Sequence, residues 1–192
     1  MDALLRFFNL YEQSTESEAE RAQAKAWLRE GFTLLLPTVP AMLVWAIVTA
    51  VAMVAAGLPA GYVVLINWLV YAGSAQLAVL SMLVLGASLP LIFLTAFIVN
   101  LRFVVFSGTT KPFFRALPLR FRLLYGFLTG DVPLMIFLNR FKHGPANAVT
   151  GADVQQKAIF IGLGLANFVA WQIGVLLGVV LFMALGKDPV RA

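Results

Sequence analysis

The chain has 192 residues, 61% of them hydrophobic and 12% charged, with a formal net charge of +5 and a mean hydropathy of +0.89. A soluble domain is nearer about half apolar and about a quarter charged, so the composition excludes one and reads as an all-α, polytopic transmembrane helix bundle. Cysteine is absent and His143 is the single histidine, which argues against disulfides, thiol nucleophiles and thiolate- or His-based metal sites; no cofactor is expected, and the basic residues lie in separate loops rather than in the one patch that nucleic acid needs.

Residues 1–30 are the only strongly charged stretch and hold no apolar segment with a small-residue cleavage site, so no secretory signal is read there. Ser17 and Glu20 have capping-box spacing, which starts a helix. Arg21, Lys25 and Arg29 then recur at the helical interval beside Trp27. The stretch 1–30 is predicted as an amphipathic lead-in helix at the headgroup level, with residues 31–192 as the transmembrane domain. A plain solvated helix is the simpler reading.

Five spans follow. The first, Phe32–Ala56, carries Pro37 and Pro40. A proline donates no N–H and crowds the carbonyl one turn back, so this span is predicted to break or kink near its start. The second, Tyr62–Leu85, is interrupted midway at Ala72-Gly73-Ser74-Ala75-Gln76. The third, Leu89–Phe106, holds Asn100 and Arg102 near its end. The fourth, Leu123–Leu138, is short and carries Asp131 about half-way along, with Pro133 beyond it. The fifth, Ala158–Leu185, is rich in glycine. Its Gly174 and Gly178 have the spacing of close helix packing, inside the bundle or with another chain, so an oligomer stays open. Lipid cannot satisfy the backbone groups freed in a broken span, so such breaks are buried in protein or line a cavity. They point to a permeation or binding site more than to an anchor.

An N-terminus inside the cell suits Arg21, Lys25, Arg29 and the connection Arg140–Lys157, and is the favoured reading. It also places the connection Gly108–Arg122 outside, with Lys111, Arg115, Arg120 and Arg122, against the positive-inside rule. Either one apparent span is re-entrant, or that connection lies flat on the surface, or the N-terminus is outside.

Two segment pairs are alike within the chain. Thr38-Val39-Pro40-Ala41-Met42 is similar to Asp131-Val132-Pro133-Leu134-Met135, and Gln76-Leu77-Ala78-Val79-Leu80 to Gln172-Ile173-Gly174-Val175-Leu176, in the same order and at nearly equal separation. Halves of three spans, over 31–108 and 121–192, would insert in opposite directions, which is the inverted repeat of many transporters. Chance similarity between leucine-rich segments is the alternative. On the repeat reading Gly186-Lys187-Asp188-Pro189 matches the connection before the third span, and the second half lacks its own third span. Either the chain is shortened there or a partner supplies that span.

Arg102 and Asp131 are the ionisable residues nearest a membrane interior, where such groups usually face a cavity, a partner charge or a proton path. Arg102 could simply snorkel to the headgroups, or the two could form a structural ion pair. The sharper reading has Asp131 titrate or bind a cation while Arg102 holds a substrate carboxylate; in a transporter Arg102 would gate or pair with Asp131. Ser74, Gln76 and Asn100 are polar groups in apolar spans; interhelical hydrogen bonding is their simplest role. Gly73 permits an unwound turn, and the N–H groups of a new helix start suit a carboxylate. The candidate substrate-binding set is Pro37, Pro40, Gly73, Ser74, Gln76 and Asn100. No zincin, nucleophile-elbow or Walker motif occurs, so an enzyme is not expected and pumping would need an ion gradient or a separate motor.

At these residues the sequence resembles the AzlC family, the large subunit of bacterial branched-chain amino acid exporters. The resemblance rests on the early prolines, Tyr71-Ala72-Gly73-Ser74-Ala75-Gln76, Asn100-Leu101-Arg102, Leu128-Thr129-Gly130-Asp131 and Trp171 with its following glycines. It runs from Gly31 to about Pro189. It implies export of valine, leucine, isoleucine and sometimes methionine from the cytoplasm across the bacterial inner membrane, with a small AzlD-like membrane subunit as partner. Two departures stand out. The family has a histidine after the N-L-R arginine, where this chain has Phe103, and an acidic pair where it has Asp131-Val132; a two-carboxylate relay is therefore in doubt. Family members also continue into further apolar sequence after the region of Lys187-Asp188-Pro189. The expected function is a secondary exporter subunit for hydrophobic L-amino acids. Helix starts near Pro40 and Gln76 would hold the carboxylate, and Asp131 the ammonium group or a proton. The rivals are a passive small-solute channel and a scaffold subunit that only packs a partner.

Overall fold

A computed structural model describes residues 7, 8, 10, 17–147, 149 and 151–185. The described elements are α1 (Glu18–Leu35), a 3₁₀ turn (Leu36–Thr38), α2 (Val39–Ala55), α3 (Ala60–Leu69), α4 (Gly73–Val84), α5 (Leu89–Asn100), α6 (Arg102–Phe114), α7 (Leu119–Phe127), α8 (Asp131–Arg140) and α9 (Val154–Leu185). There is no strand among the described residues, only an isolated bridge between Asn147 and Gly151. The all-α class is as expected. The segment Gly186-Lys187-Asp188-Pro189 lies outside the described residues.

Three helical runs are long and apolar enough to cross a bilayer: Glu18–Ala55, Leu89–Phe114 and Val154–Leu185. The pair α7 and α8 is a fourth if counted as one span, although the two helices are bent by 111° to one another. Helices α3 and α4 have 10 and 12 residues, whereas a spanning helix needs about 20. The chain is a multi-pass membrane protein. Its fourth predicted span differs from expectation. It breaks at Leu128–Gly130, so Asp131 opens α8 as its first residue, next to the break and not inside a continuous helix. The third differs too. Helix continues past Phe106 to Phe114, so Arg102 lies in the middle of an apolar run, and most of the predicted basic connection is helical. The hydroxyls of Thr109 and Thr110 donate to the Phe106 carbonyl at 2.9 and 2.8 Å, and Pro112 falls in the last turn of α6, where it withholds one N–H from the turn before it.

The chain divides into two compact units. One comprises residues 1–38 and 105–168, the other 39–104 and 169–192. In the first, the predicted capping box forms. The Glu20 N–H donates to Ser17 Oγ at 3.3 Å and the Ser17 N–H to Glu20 Oε2 at 2.7 Å. The helix so begun runs unbroken to Leu35, and the proline-directed break follows as the 3₁₀ turn at Leu36–Thr38. Helix α1 meets α9 backbone to backbone: a Cβ on Gly162 would strike the Leu28 carbonyl and stand 3.0 Å from Gly31 Cα. Around this contact the core is aromatic. The Phe160 ring lies 4.7 Å from Phe114, 5.1 Å from Phe137 and, stacked, 5.7 Å from Tyr125. The Arg140–Asp153 connection is held by Gln156, whose side chain accepts from the Ala146 N–H at 2.9 Å and donates to the Gly144 carbonyl at 3.1 Å.

In the second unit α4 packs on α2 and α5. Gly174 and Gly178 of α9 face Ala46 and Ala50 of α2. A Cβ on Gly174 would come within 2.6 Å of the Ala46 methyl, and one on Gly178 within 2.9 Å of the Ala50 methyl. The predicted G-x-x-x-G spacing therefore serves packing inside this unit, where small residues let two backbones approach in the absence of a hydrophobic drive between helices. The outer surface is apolar: Leu89, Phe93, Phe97, Ile98 and Val104 on α5 and α6 are exposed, and the run Leu89–Phe114 has no buried residue in its most apolar window. A helix apolar on all sides suits lipid, not water.

Candidate functional site

The predicted interruption of the second span is a break at Val70–Ala72 between α3 and α4. Val70 and Ala72 leave helical geometry, at φ −113° and −148°. The Val70 carbonyl accepts from the Ala72 N–H at 2.9 Å and from Gln76 Nε2 at 2.6 Å. Helix α4 then starts at Gly73 without a side-chain cap. Its first three N–H groups, those of Gly73, Ser74 and Ala75, have no backbone carbonyl partner among the described residues.

A buried polar clasp holds the break. Asn67 is fully buried. Its Nδ2 donates to the Val63 carbonyl at 2.8 Å and its Oδ1 accepts from Trp171 Nε1 at 3.0 Å. Its backbone carbonyl, released as α3 ends, accepts from Gln172 Nε2 at 3.1 Å. The Trp171 ring lies edge-on to Tyr71 at 6.2 Å and covers Gly73, where a Cβ would stand 2.9 Å from Trp171 Cζ2 and 3.1 Å from Trp45 Nε1. Glycine at 73 is thus a matter of space for two indoles. Sequence reasoning passed over Asn67; the signal was a lone amide inside the apolar run from Tyr62 to Val70. Trp171 and Gln172 stood out by motif and repeat, but not as its partners. Removing a buried hydrogen-bonding group strands its partners, at roughly 1–3 kcal/mol each. Asn67→Leu is therefore expected to lower the thermal midpoint in detergent by several degrees and to expose the break to added protease. An unchanged midpoint and cleavage pattern would show that the clasp does not hold the break.

Beside the break lies a cavity of about 210 Å³, walled by Met53, Leu58, Ile66, Val79, Leu80 and Leu83, with Gln76 and Asn100 as its side-chain amides. It is somewhat larger than a roughly 150 Å³ cavity that takes benzene and well below the range of about 300–1,000 Å³ typical of drug-sized sites. It therefore suits a small, largely apolar solute. On α4 and at the end of α5, Ser74 Oγ, Gln76 Oε1 and Asn100 Oδ1 are buried and make no hydrogen bond among the described residues. Buried polar atoms normally find partners, so such a group beside a cavity marks a place where a ligand would complete the bonding.

Of the predicted substrate set, Gly73, Ser74 and Gln76 lie in the first turn of α4 and Asn100 closes α5. Gln76 and Asn100 line the cavity together. Pro37 and Pro40 are exposed and do not line it; they shape the break between α1 and α2, with Pro40 in the first turn of α2, where a missing N–H costs nothing. Arg102 is half-buried, its guanidinium 5.2 Å from the centre of the Phe103 ring, a cation–π contact. It belongs to the second unit, whereas Asp131 is exposed at the start of α8 in the first. There a carboxylate favours the N-terminal dipole. Among the described residues no three His, Cys, Asp or Glu side chains group as metal ligands.

No curated protein and no solved structure matches the chain. A family model, that of the AzlC protein, matches residues 37–185, which take in α2 to α9 and every residue of the break, the clasp and the cavity. The chain belongs to the AzlC family, a family of membrane proteins associated with branched-chain amino acid transport.

Proposed function

We propose that the chain is a secondary-type exporter subunit for branched-chain and similar hydrophobic L-amino acids in the bacterial inner membrane, working with a small AzlD-like partner. The observation that carries this reading is the apolar cavity beside the broken α3–α4 pair, with unsatisfied amide oxygens at Gln76 and Asn100. Apolar walls suit an aliphatic side chain, and the uncapped start of α4 offers N–H groups to a carboxylate. A zwitterion is neutral overall and enters such a site without the cost of burying a net charge.

Asp131 and Arg102 are assigned to coupling and gating. Asp131 directly follows the break between α7 and α8, the other broken pair, and Arg102 sits mid-run in an apolar segment, where an ionised group is expensive to hold without a task. The inverted repeat belongs to this proposal. In its favour, Pro40 and Pro133 each occupy the first turn of a helix that follows a break. The glutamines differ, since Gln76 is in a helix start and Gln172 in the interior of α9.

The test is counterflow of labelled L-valine in proteoliposomes, with this chain alone and with its small partner, against empty liposomes. Saturable exchange, inhibited by leucine and isoleucine and driven by an imposed proton gradient, is the expected result. Exchange indifferent to the gradient would favour the passive channel. No exchange from folded protein in either preparation would favour the scaffold. Asp131→Asn is expected to abolish gradient-driven flux at normal expression; wild-type flux in that variant would remove Asp131 from the mechanism.

A further inference from the structure

We infer that Gln76 and Asn100 form an ammonium-recognising subsite, so that the cavity selects small apolar molecules carrying a primary ammonium group. This rests on the amino acid reading above and reassigns the substrate's positive end to two neutral amides.

Gln76 is only 7% exposed, and its orientation is fixed by its neighbours. Its Nε2 is committed to the Val70 carbonyl at 2.6 Å. Turning the amide over would set two acceptor oxygens against each other at that distance. Oε1 is therefore left as an acceptor, buried and without a partner. Asn100 lines the same cavity with a buried Oδ1 that has no partner; no hydrogen bond among the described residues holds its amide, which is free to present that oxygen beside Gln76 Oε1. Two vacant acceptors ask for donors. A primary ammonium carries three N–H groups and no acceptor, so it matches the pair. A 2-oxo acid of the same skeleton offers only acceptors and would leave both oxygens stranded at the cost of their desolvation.

Neutral amides also fit a site that must empty. A carboxylate in these apolar walls would pay a large desolvation penalty between substrates, or take up a proton, whereas an amide oxygen costs far less to bury. The negative end of the ligand falls to the start of α4, of whose first three residues Ala75 lines the cavity. There the N–H groups of Gly73, Ser74 and Ala75 have no backbone carbonyl partner among the described residues, and Ser74 Oγ is buried with no hydrogen bond.

The experiment titrates the full chain in detergent micelles with L-valine, with isobutylamine (valine without its carboxylate) and with 3-methyl-2-oxobutanoate (valine without its ammonium), reading apparent affinity from the shift in thermal midpoint. The oxo acid is expected to bind on the order of a hundredfold more weakly than L-valine, and isobutylamine to lie between them. Equal binding of L-valine and the oxo acid would overturn the subsite and leave the transport proposal standing. Binding of isobutylamine without L-valine would support the subsite and overturn the amino acid reading. No binding by any of the three would overturn the subsite. Asn100→Asp is expected to shift preference from L-valine towards isobutylamine by about tenfold, as a full charge replaces a dipole; an unchanged preference in that folded variant also overturns it. If the variant does not fold, the three-ligand series on the unaltered chain decides.

Discussion

Gly162→Val is expected to prevent the first unit from assembling, with loss of a cooperative thermal transition in detergent and sharply reduced yield from membranes. Gly162 and Gly31 face each other where α9 meets α1. A side chain at 162 would be driven into the Leu28 carbonyl and towards Gly31 Cα, and one at 31 would stand 2.9 Å from Gly162 Cα and from the Leu163 N–H nitrogen. These obstacles are backbone atoms, so no rotamer change relieves the overlap. The two helices would have to part, and the contact of Phe160 with Phe114, Tyr125 and Phe137 depends on where α9 lies. Overpacking alone costs about 1–3 kcal/mol when side chains can adjust. With backbone on both sides and an aromatic core displaced, the loss should exceed about 4 kcal/mol. The control is Gly126→Val, since a Cβ at Gly126 meets nothing within 4 Å. A midpoint for Gly162→Val within a degree or two of that control would show that α1 and α9 do not pack as described.

Gln76→Leu is expected to abolish valine exchange while the chain still folds. Leucine is close to glutamine in volume and suits the apolar walls, so packing is largely kept. What disappears is the acceptor oxygen in the cavity and the Nε2 donor to the Val70 carbonyl. That carbonyl keeps its bond from the Ala72 N–H, so it is not orphaned. The expected stability change is about 1 kcal/mol in either direction, because an unsatisfied oxygen goes as a good hydrogen bond goes. Flux should fall by at least about a hundredfold, since a site built around a polar contact loses both binding and orientation without it. Wild-type exchange in a folded Gln76→Leu protein would place the substrate elsewhere.

Much of this architecture was legible because local chemistry dictated it. The Ser17–Glu20 cap, the proline-directed break at Leu36–Thr38 and the interruption at Val70–Ala72 each follow from a few adjacent residues. Gln76 and Asn100 stood out as amides in apolar spans. The rest depends on neighbours far along the chain. Leu123–Leu138 read as one short span, yet α7 and α8 are bent by 111° to one another. The connection Gly108–Arg122 was read as a loop, but α6 is helical to Phe114, its threonine hydroxyls bonded back to the Phe106 carbonyl. Asn67 could not be matched with Trp171 by any short-range pattern, since 104 positions separate them.

That separation has a consequence for how the protein is made. Helices α3 and α4 are each too short to cross a bilayer, and the freed carbonyl at the end of α3 is satisfied by Gln172 on α9. The apolar run Leu89–Phe114 needs no such help and can partition into lipid as it emerges. The broken pair leaves the ribosome first, and its clasp follows 104 residues later. At roughly 5–20 residues per second of synthesis, that delay is about 5–20 s. For that interval the insertion machinery, or water at the membrane face, must shelter the polar turn that the finished bundle encloses.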